Sequence, residues 1–462
     1  MKARFDYDVA VIGSGSAGFA VARTAASLGA RTAIIEAAKQ VAGLCILRGC
    51  MPSKALLSCS NRLHAIRTAG EFGIESVGGV PNLSRIIARK RRLIGEFAGY
   101  REKQIFDGDF DFIRGRPEFL DRHTVRLRNG RKISSRSFVI CTGSRITRHS
   151  FEGLDDVRPM DSDTALNCRR LPKSLAVLGG GPVALELSQY FSRLGSRVTI
   201  LQRSPHLLSK SDADLAECLR KSFEHEGIRV LTGVQLLRFE KRRRKIIHFK
   251  RSGRSQRLEM DEILNALGRT SNTEGLGLER IGVNLRGAAI RVDRTMRSSV
   301  TNIFAAGDVN GEHEVVHIAI QQAELAAINA VTGAHRKMDS RAVALAVFTE
   351  PQIATVGRSE RDLERKQFLT AKYPFDNHGK SIIMGETSGF VKIIAEPKRG
   401  KILGAECIGP EASDLIHEMI AMIHMRATVF DVMAMPHYHP TLAEIWTYPA
   451  EEIAAQITKS RT

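Results

Sequence analysis

Two cysteines near the N-terminus, Cys45 and Cys50, have the residue type and the spacing to form a reversible disulfide. Residues five apart in a regular α-helix are too far separated to be bridged, so a bond between them requires a distorted turn. Gly43 and Gly49 supply the backbone freedom for such a turn. The alternative is that both are core cysteines at an accidental spacing.

The residues around Cys50 predict a helix that would activate its thiol. Pro52 suits a first helical turn, because its φ is fixed and a backbone N–H would have no partner there. A thiol near the positive end of a helix has a lowered pKa and reacts as a thiolate. Lys54 lies one turn after Cys50, so its ammonium is expected near the same chemistry. This region therefore predicts a redox-active pair.

A second constellation, His439 and Glu444, lies near the C-terminus. His439 precedes a proline and is expected to be extended. Thr441 and Glu444 have the spacing of a capping box, which is the structural alternative for the acid. The functional alternative is a histidine base oriented by a carboxylate, the pairing with which thiol chemistry takes up and returns protons.

The first element that would position these residues is a dinucleotide motif at the N-terminus. A short apolar strand leads into Gly13, Gly15 and Gly18 in a G-x-G-x-x-G pattern, and a helix and a second strand (31–35) ending at Glu36 follow. The glycines permit a pyrophosphate to approach a helix N-terminus, and the acid can accept a hydrogen bond from a ribose hydroxyl.

The same motif returns later in the chain, with a predicted strand at 174–178, Gly179 and Gly181 in its loop, and a second predicted strand at 197–201. Here Gln202 takes the position of the ribose-binding acid, and Arg203 follows it. Loss of the carboxylate removes repulsion of a 2′-phosphate, and the arginine offers a cation. NADP(H) is therefore favoured over NAD(H), the alternative being a surface arginine and a loose cofactor choice.

Two apolar strands, ending at Thr142-Gly143 and before Asp308, return the chain to the first fold, so the second nucleotide domain is predicted as an insertion. The fold class is α/β: two Rossmann-like dinucleotide-binding domains, the second inserted in the first, plus a C-terminal α+β domain. The predicted boundaries are 1–148 with 272–338, then 149–271, then 339–462.

Composition narrows the functional classes. The 462 residues allow about three domains, and seven cysteines are too few for a disulfide scaffold. The formal charge of +19 includes basic clusters at 89–92 and 241–245, but these lack interleaved aromatic residues and match no recognition motif, so nucleic acid is not expected. A short polar N-terminus and the lack of long apolar runs predict a cytoplasmic protein with no membrane partner. We expect no metal centre.

Together these residues resemble the FAD-dependent pyridine nucleotide-disulfide oxidoreductases, the family of dihydrolipoyl dehydrogenase, glutathione reductase and mercuric reductase. The resemblance covers nearly the whole chain, from about Tyr7 to Glu444. Besides the glycine loops, it rests on C-x4-C-x-P-S-K, Thr142-Gly143, Leu267-Gly268-Arg269, Ala306-Gly307-Asp308, Phe348-Thr349-Glu350-Pro351 and His439-Pro440-Thr441-x-x-Glu444.

The resemblance implies FAD in the first site and a nicotinamide dinucleotide in the second. The expected cofactor-binding residues are Gly13, Gly15, Gly18, Glu36, Thr142, Gly143, Asp308, Gly179, Gly181, Gln202, Arg203 and Gly268. Cys50 would face the flavin and Cys45 would exchange with substrate. Lys54 would lie by the flavin and pair with Glu186.

The same resemblance implies an obligate homodimer with 339–462 as its dimerisation domain. His439, oriented by Glu444, would act in the partner's site. The expected reaction passes electrons between nicotinamide, flavin, the cysteine pair and a small dithiol/disulfide or lipoyl-bearing substrate. Glu324 stands where glutathione reductases carry an arginine, which counts against glutathione.

A lipoamide-type substrate ranks first, a mercuric-reductase-like activity second and another small disulfide third. The tail 456–462 lacks the vicinal cysteines typical of mercuric reductases. Leu44 replaces a common threonine beside the flavin. Two further alternatives are a flavoprotein that reduces quinones, metals or oxygen without the thiols, and a basic binding protein with a vestigial flavin fold.

Overall fold

The computed structural model describes residues 5–75 and 78–459. The last three residues of the cysteine-free tail, 460–462, lie outside this part of the chain. No helix among the described residues is long and apolar enough to cross a membrane.

The chain forms two compact units. The first comprises the residues up to Ala55, with Ala88–Arg148 and Gly268–Met338, and the second comprises Leu56–Ile87, His149–Leu267 and the residues from Asp339 onward. The division into three functional domains stays a prediction.

A mostly parallel sheet organises the first unit. Tyr7–Ile12 lies at its centre, with Val11 opposite Ile34 on one side and Val139 on the other. This strand is an almost continuous apolar run, as expected for a strand covered on both faces. The strand order is Asp111–Arg114, Thr32–Glu36, Tyr7–Ile12, Lys132–Ile140, Thr124–Leu127 and Pro117–Asp121, with Ile303–Ala305 also paired to Lys132–Ile140.

Two alanine-rich helices of this unit, Ser16–Ser27 and Val316–Thr332, belong to one buried cluster with the sheet strands. Their small side chains permit close approach of the helix backbones. Short strand pairs complete the unit: Ser144–Ile146 with Arg269–Ser271, and Leu285–Arg286 with Ala289–Ile290.

The second unit contains a second parallel sheet, in the order Arg229–Leu231, Arg197–Leu201, Ser174–Leu178 and Glu262–Asn265. All residues of this sheet lie, in sequence, between two segments of the first unit, which agrees with the predicted insertion. An antiparallel meander follows Arg229–Leu231, formed by Val234–Lys241, Lys245–Arg251 and Arg254–Met260.

The C-terminal part of the second unit is an antiparallel sheet covered by helices, as the predicted α+β class requires. Its strand order is Ala344–Val347, Gln352–Gly357, Ile402–Gly409, Phe390–Ala395 and Leu369–Pro374. Trp446 is fully buried in the core between this sheet and its helices.

The described residues form further helices in both units. They are Gly43–Arg48, Cys50–Thr68, Leu83–Phe106, Leu154–Val157, Ser162–Ala165, Pro182–Arg193, Ala213–His225, Gly379–Met384, Ala412–Met425, Val429–Ala434 and Thr447–Lys459. Short 3₁₀ turns lie at Ala69–Phe72, Glu279–Ile281, Asp308–Asn310, Glu360–Asp362, Arg365–Gln367, Phe375–Asn377 and Ala443–Trp446.

Candidate active site

The first glycine loop has the steric requirements of a dinucleotide site. Gly13 adopts φ +106°, and a Cβ there would lie 2.5 Å from the Cys141 carbonyl oxygen. A Cβ on Gly18 would lie 1.8 Å from the Gly13 oxygen. The helix Ser16–Ser27 begins after Gly15, which supplies no side-chain cap, so its first N–H groups face no capping side chain and suit a phosphate.

Glu36 ends the second strand and fixes this loop. Its Oε2 accepts hydrogen bonds from the N–H and the hydroxyl of Ser14, at 2.9 and 2.8 Å, and its Oε1 accepts from the N–H of Ala38 at 2.7 Å. Each carboxylate oxygen retains acceptor capacity for a ribose hydroxyl. The loop and the acid therefore fit the adenine-dinucleotide part of FAD.

The other predicted residues of the FAD side, Asp308 and Thr142, each form hydrogen bonds with residues next to the predicted motifs. Asp308 Oδ2 accepts from the Ser144 hydroxyl at 2.6 Å, and that hydroxyl accepts from Arg269 Nε at 2.8 Å. The Thr142 hydroxyl donates to the Asn272 carbonyl at 2.6 Å. Sequence motifs missed Ser144 and Asn272, which carry no motif of their own.

Two predicted glycines complete this strand end. The Gly143 carbonyl accepts from the Asn272 N–H at 2.9 Å, and the Gly268 carbonyl accepts from the Thr147 N–H at 3.1 Å. Both glycines therefore serve to join backbone segments around Thr142 in the first unit.

The second glycine loop repeats the arrangement without an acid. A Cβ on Gly179 would lie 2.6 Å from the Ala266 oxygen, and the helix Pro182–Arg193 begins after Gly181 with no side-chain cap. Gln202 is buried, and its Cδ lies 3.0 Å from the position of a Cβ on Gly180. Arg203 is exposed.

The cysteines lie on two helices separated by a break. Gly43–Arg48 carries Cys45, and Gly49, with φ −127° and ψ −116°, interrupts the helix before Cys50–Thr68 begins. This is the predicted distorted turn, and Pro52 occupies the first turn of the second helix as expected. Cys45 is half-buried and Cys50 is exposed, and the pair is in its dithiol form.

The two sulfurs are in hydrogen-bonding contact. The Cys50 side chain is the main cause of the raised pKa of the Cys45 thiol, and burial adds to it. The Cys50 backbone N–H also reaches the Cys45 sulfur and, with the charge of Lys54, acts in the opposite direction. Cys45 therefore lies at the N-terminus of the second helix, where the backbone N–H and Lys54 only partly offset the raised pKa of its thiol.

The helix that carries Cys45 begins against the first glycine loop. Gly43 has φ +74°, and a Cβ there would lie 2.5 Å from the Cα of Gly15. Ala42, just before it, also has a positive φ of 94°. The backbone of the thiol segment thus touches the backbone of the predicted FAD loop.

A cation accompanies the thiol pair. Arg101 lies with its Cζ 4.3 Å from the ring centroid of Phe19 and close enough to Cys45 for an electrostatic interaction. Ile105, one turn further on the same helix, packs with Phe19 and Val41, which fixes the arginine beside the segment that precedes the thiols.

The predicted acid/base pair is formed in the second unit. His439 Nδ1 lies 2.9 Å from Glu444 Oε2, and the histidine side chain is 79% exposed while the glutamate is 13% exposed. The capping-box alternative is wrong, because the Thr441 hydroxyl donates to the Tyr438 carbonyl at 2.7 Å and the turn Ala443–Trp446 has no side-chain cap.

The structure adds a residue that sequence reasoning missed. His378 Nε2 lies 3.5 Å from the second oxygen of Glu444, and its side chain is 1% exposed. No local motif marks it, because the contact joins a turn before Gly379–Met384 to the C-terminal segment.

Lys54 and Glu186 lie in different units, and their pairing stays a prediction. Glu186 is buried and its Oε1 accepts a hydrogen bond from the Phe348 N–H at 3.1 Å. Gln189, one turn later on the helix of Glu186, exchanges two hydrogen bonds with the backbone of Glu350, at 2.6 and 2.8 Å. These contacts explain the Phe348-Thr349-Glu350-Pro351 motif structurally.

An acidic cluster in the second unit is neutralised from within the chain. Oxygens of Asp212, Asp214 and Glu406 lie within 4.8 Å of one another. The buried ammonium of Lys392 lies 2.8 Å from Asp212 and 2.7 Å from Glu406, so a lysine takes the place that a cation would need.

Comparison with known proteins defines the class. Residues 7–323 match the pyridine nucleotide-disulphide oxidoreductase family, and residues 343–450 match the dimerisation domain of the same family. The chain belongs to this family, and it is a flavoprotein disulfide oxidoreductase. The family implies FAD and a pyridine nucleotide as cofactors, and the dimerisation domain supports a homodimer.

The most similar relatives include two enzyme types. The chain is 33% identical over 449 residues to dihydrolipoyl dehydrogenase of Geobacillus stearothermophilus, covering 96% of this chain and 95% of the relative. It is 32% identical to mercuric reductase of Bacillus cereus, covering 96% and 71%. The fold also matches HOCl-induced flavoprotein disulfide reductase RclA from Escherichia coli, with a TM-score of 0.85 at 24% identity, covering 96% and 99%. The predicted family and fold class are confirmed.

Proposed function

We propose that this enzyme passes electrons between a nicotinamide dinucleotide, FAD and the Cys45–Cys50 pair, and that its substrate is a small dithiol/disulfide of the lipoamide type. The observation that carries the proposal is the backbone contact between Gly43 and Gly15. Because of this contact, the thiol helix begins where the FAD-binding loop turns. Bound FAD would supply two-electron exchange between the nicotinamide and the thiols.

The chain's own residues support the thiol exchange. Cys45, as thiolate, attacks one sulfur of the substrate disulfide; the S–S bond breaks, a mixed disulfide forms and one substrate thiolate leaves. Cys50 then attacks Cys45, which releases the second substrate thiolate and leaves a Cys45–Cys50 disulfide. The contact between the two sulfurs supports this second step.

His439 is the proposed proton donor and acceptor for the leaving and attacking sulfurs. Its Nδ1 faces Glu444, so Nε2 is left at the exposed end of the ring. A neutral ring held in this tautomer can accept a proton at Nε2 and return it.

We propose an obligate homodimer in which His439 serves the partner's thiols. The histidine is exposed and lies within residues 343–450 of the dimerisation domain. The same part of the chain exposes large apolar side chains, which are typical of an interface: Met425, Phe430, Met433 and Tyr438.

We propose NADP(H) as the preferred nicotinamide cofactor. Gln202 presents an amide where Glu36 presents a carboxylate, and the exposed Arg203 follows it. An amide does not repel a 2′-phosphate, and an arginine can pair with it.

A mercuric-reductase-like activity is the second candidate, favoured by the 32% identity to the Bacillus cereus enzyme. A panel of lipoamide, other disulfides and Hg(II) with the Cys45→Ser protein tests both candidates. Loss of lipoamide turnover, with flavin reduction by nicotinamide retained, supports the proposal. Disulfide turnover in the variant contradicts it, and turnover of Hg(II) alone in the parent favours the second candidate.

A further inference from the structure

His378 lies on the far side of Glu444 from His439. Glu444 Oε2 faces His439 Nδ1 at 2.9 Å, and Glu444 Oε1 faces His378 Nε2 at 3.5 Å. The carboxylate is therefore shared between one exposed imidazole and one buried imidazole. Among the described residues, His378 Nε2 is a buried nitrogen with no hydrogen-bond partner, and Glu444 Oε1 is the acceptor that faces it.

The other ring nitrogen of His378 has a partner that allows it to be the acceptor. Nδ1 lies 2.9 Å from the Ser381 hydroxyl, which can donate to it. A neutral ring that accepts at Nδ1 carries its hydrogen on Nε2. That hydrogen lies at the ring atom 3.5 Å from Glu444 Oε1, so this tautomer pairs Nδ1 with Ser381 and leaves Nε2–H facing the carboxylate.

Aromatic rings hold the buried imidazole in place. Phe375 and Tyr448 meet His378 edge-on, with ring centroids 6.5 and 6.4 Å away, and Tyr448 stacks on Tyr373 at 4.0 Å. The titratable groups that face His378 are Glu444, His439 and Tyr448. Burial lowers the pKa of His378, so a neutral donor is the form expected at neutral pH.

We propose that His378 is a positioning residue for the acid/base pair: its Nε2–H holds the Glu444 carboxylate in the orientation that fixes His439. This inference rests on the proposed role of His439. Without the donor, the half-buried carboxylate has one oxygen unsatisfied and is free to turn away from His439, which then loses the partner that orients its ring.

The test compares His378→Phe with His378→Gln. Phenylalanine keeps an aromatic ring among Phe375 and Tyr448 but has no donor, whereas the glutamine amide can place an N–H near the position of Nε2. We expect His378→Phe to lower kcat for disulfide reduction about three- to tenfold with KM little changed, and to alter the pH profile of kcat. In His378→Gln, kcat should lie within about twofold of the parental value, and the pH profile should match that of the parent.

His437→Gln is the matched control, because His437 forms a second histidine–glutamate pair with Glu418 at 3.0 Å that does not include Glu444. It should leave the pH profile unchanged. An unchanged profile in His378→Phe, or the same change in His437→Gln, overturns the proposal for His378.

His439→Gln separates this inference from the function on which it rests. If His439→Gln retains full disulfide turnover, the acid/base role itself fails. If His439→Gln is impaired but His378→Phe is not, only the positioning role fails. Flavin reduction by the nicotinamide should stay unchanged in every variant, which reports that each protein is folded.

Discussion

The thiol region and the acid/base region are positioned by different means. The thiols are placed by backbone geometry, with positive φ values at Ala42 and Gly43 and a helix break at Gly49. His439 is placed by side chains, since Glu444 orients it from a turn that has no cap of its own.

This difference predicts how each region responds to substitution. A backbone contact such as Gly43 against Gly15 has no flexible side chain that can move aside, so one added carbon disrupts it. In a side-chain network, each substitution removes one hydrogen bond or one charge, so each is expected to decrease the activity only in part.

The largest expected effect is that of Gly43→Ala. The new Cβ would lie 2.5 Å from the Gly15 Cα in a residue at φ +74°, a strain that adds about 1–2 kcal/mol to the clash. We expect most of the bound FAD and the turnover to be lost, measured as flavin absorbance per chain. Gly29→Ala is the control, because Gly29 has a similar φ of +78° but nothing within 4 Å of its Cβ position. Normal FAD content in Gly43→Ala would contradict the contact.

The next effect is that of Glu444→Gln, which removes the charge facing His439 while keeping the shape of the side chain. We expect disulfide reduction to fall about 10- to 100-fold, less than the roughly 100- to 10,000-fold that a general acid–base contributes, because His439 itself remains. Flavin reduction by nicotinamide should be unchanged. Stopped-flow measurement of the two half-reactions separates these steps. Glu418→Gln, in the second pair with His437, should stay near parental rates. Equal losses in both variants would point to misfolding instead.

A smaller effect is expected in the thiol region from Lys54→Met. The charge of Lys54 lowers the pKa of Cys45, so its loss raises that pKa and decreases the thiolate fraction at a given pH. Alkylation of Cys45 in the reduced enzyme, followed by peptide mass, should slow about threefold near pH 8. Lys39→Met, an exposed lysine of the same unit, should show no slowing.

The smallest effect concerns stability in the acid/base region. Burial lowers the pKa of His378 in the folded chain, so the unfolded chain binds the proton at higher pH. Stability of the parent should therefore fall as the pH drops through the ordinary histidine value of about 6.5. His378→Gln removes this pH dependence of the free energy of unfolding. Each unit by which the pKa of His378 is lowered corresponds to at most about 1.4 kcal/mol of that free energy. Chemical denaturation near pH 7.5 and pH 5.5 measures it, and a parallel decline in both proteins would contradict the burial argument.

Sequence alone predicted much of the fold because local signals and packing agree there. Ser174–Leu178 and Arg197–Leu201 form with their predicted bounds, since buried apolar runs and the glycine loops define where parallel strands end. The break between Cys45 and Cys50 followed from helix geometry and two glycines.

The acid/base region was only partly predictable. In the sequence, Glu444 could either cap a turn with Thr441 or pair with His439. The structure distinguishes the two, because the Thr441 hydroxyl donates to Tyr438 and Glu444 contacts His439. His378 carries no motif, because tertiary packing brings it to Glu444 from a distant turn. The same holds for Ser144, which reaches Asp308 from a strand distant in the sequence.

The most direct test of the link between the thiols and the flavin is an anaerobic titration of the purified holoenzyme with NADPH and, separately, NADH. We predict a long-wavelength thiolate-to-flavin charge-transfer band that is absent from Cys50→Ser. We also predict that the flavin is reduced at a lower concentration of NADPH than of NADH. Flavin reduction without this band in the parent would contradict the coupling of Cys50 to the flavin and would favour a reductase that does not use the thiols.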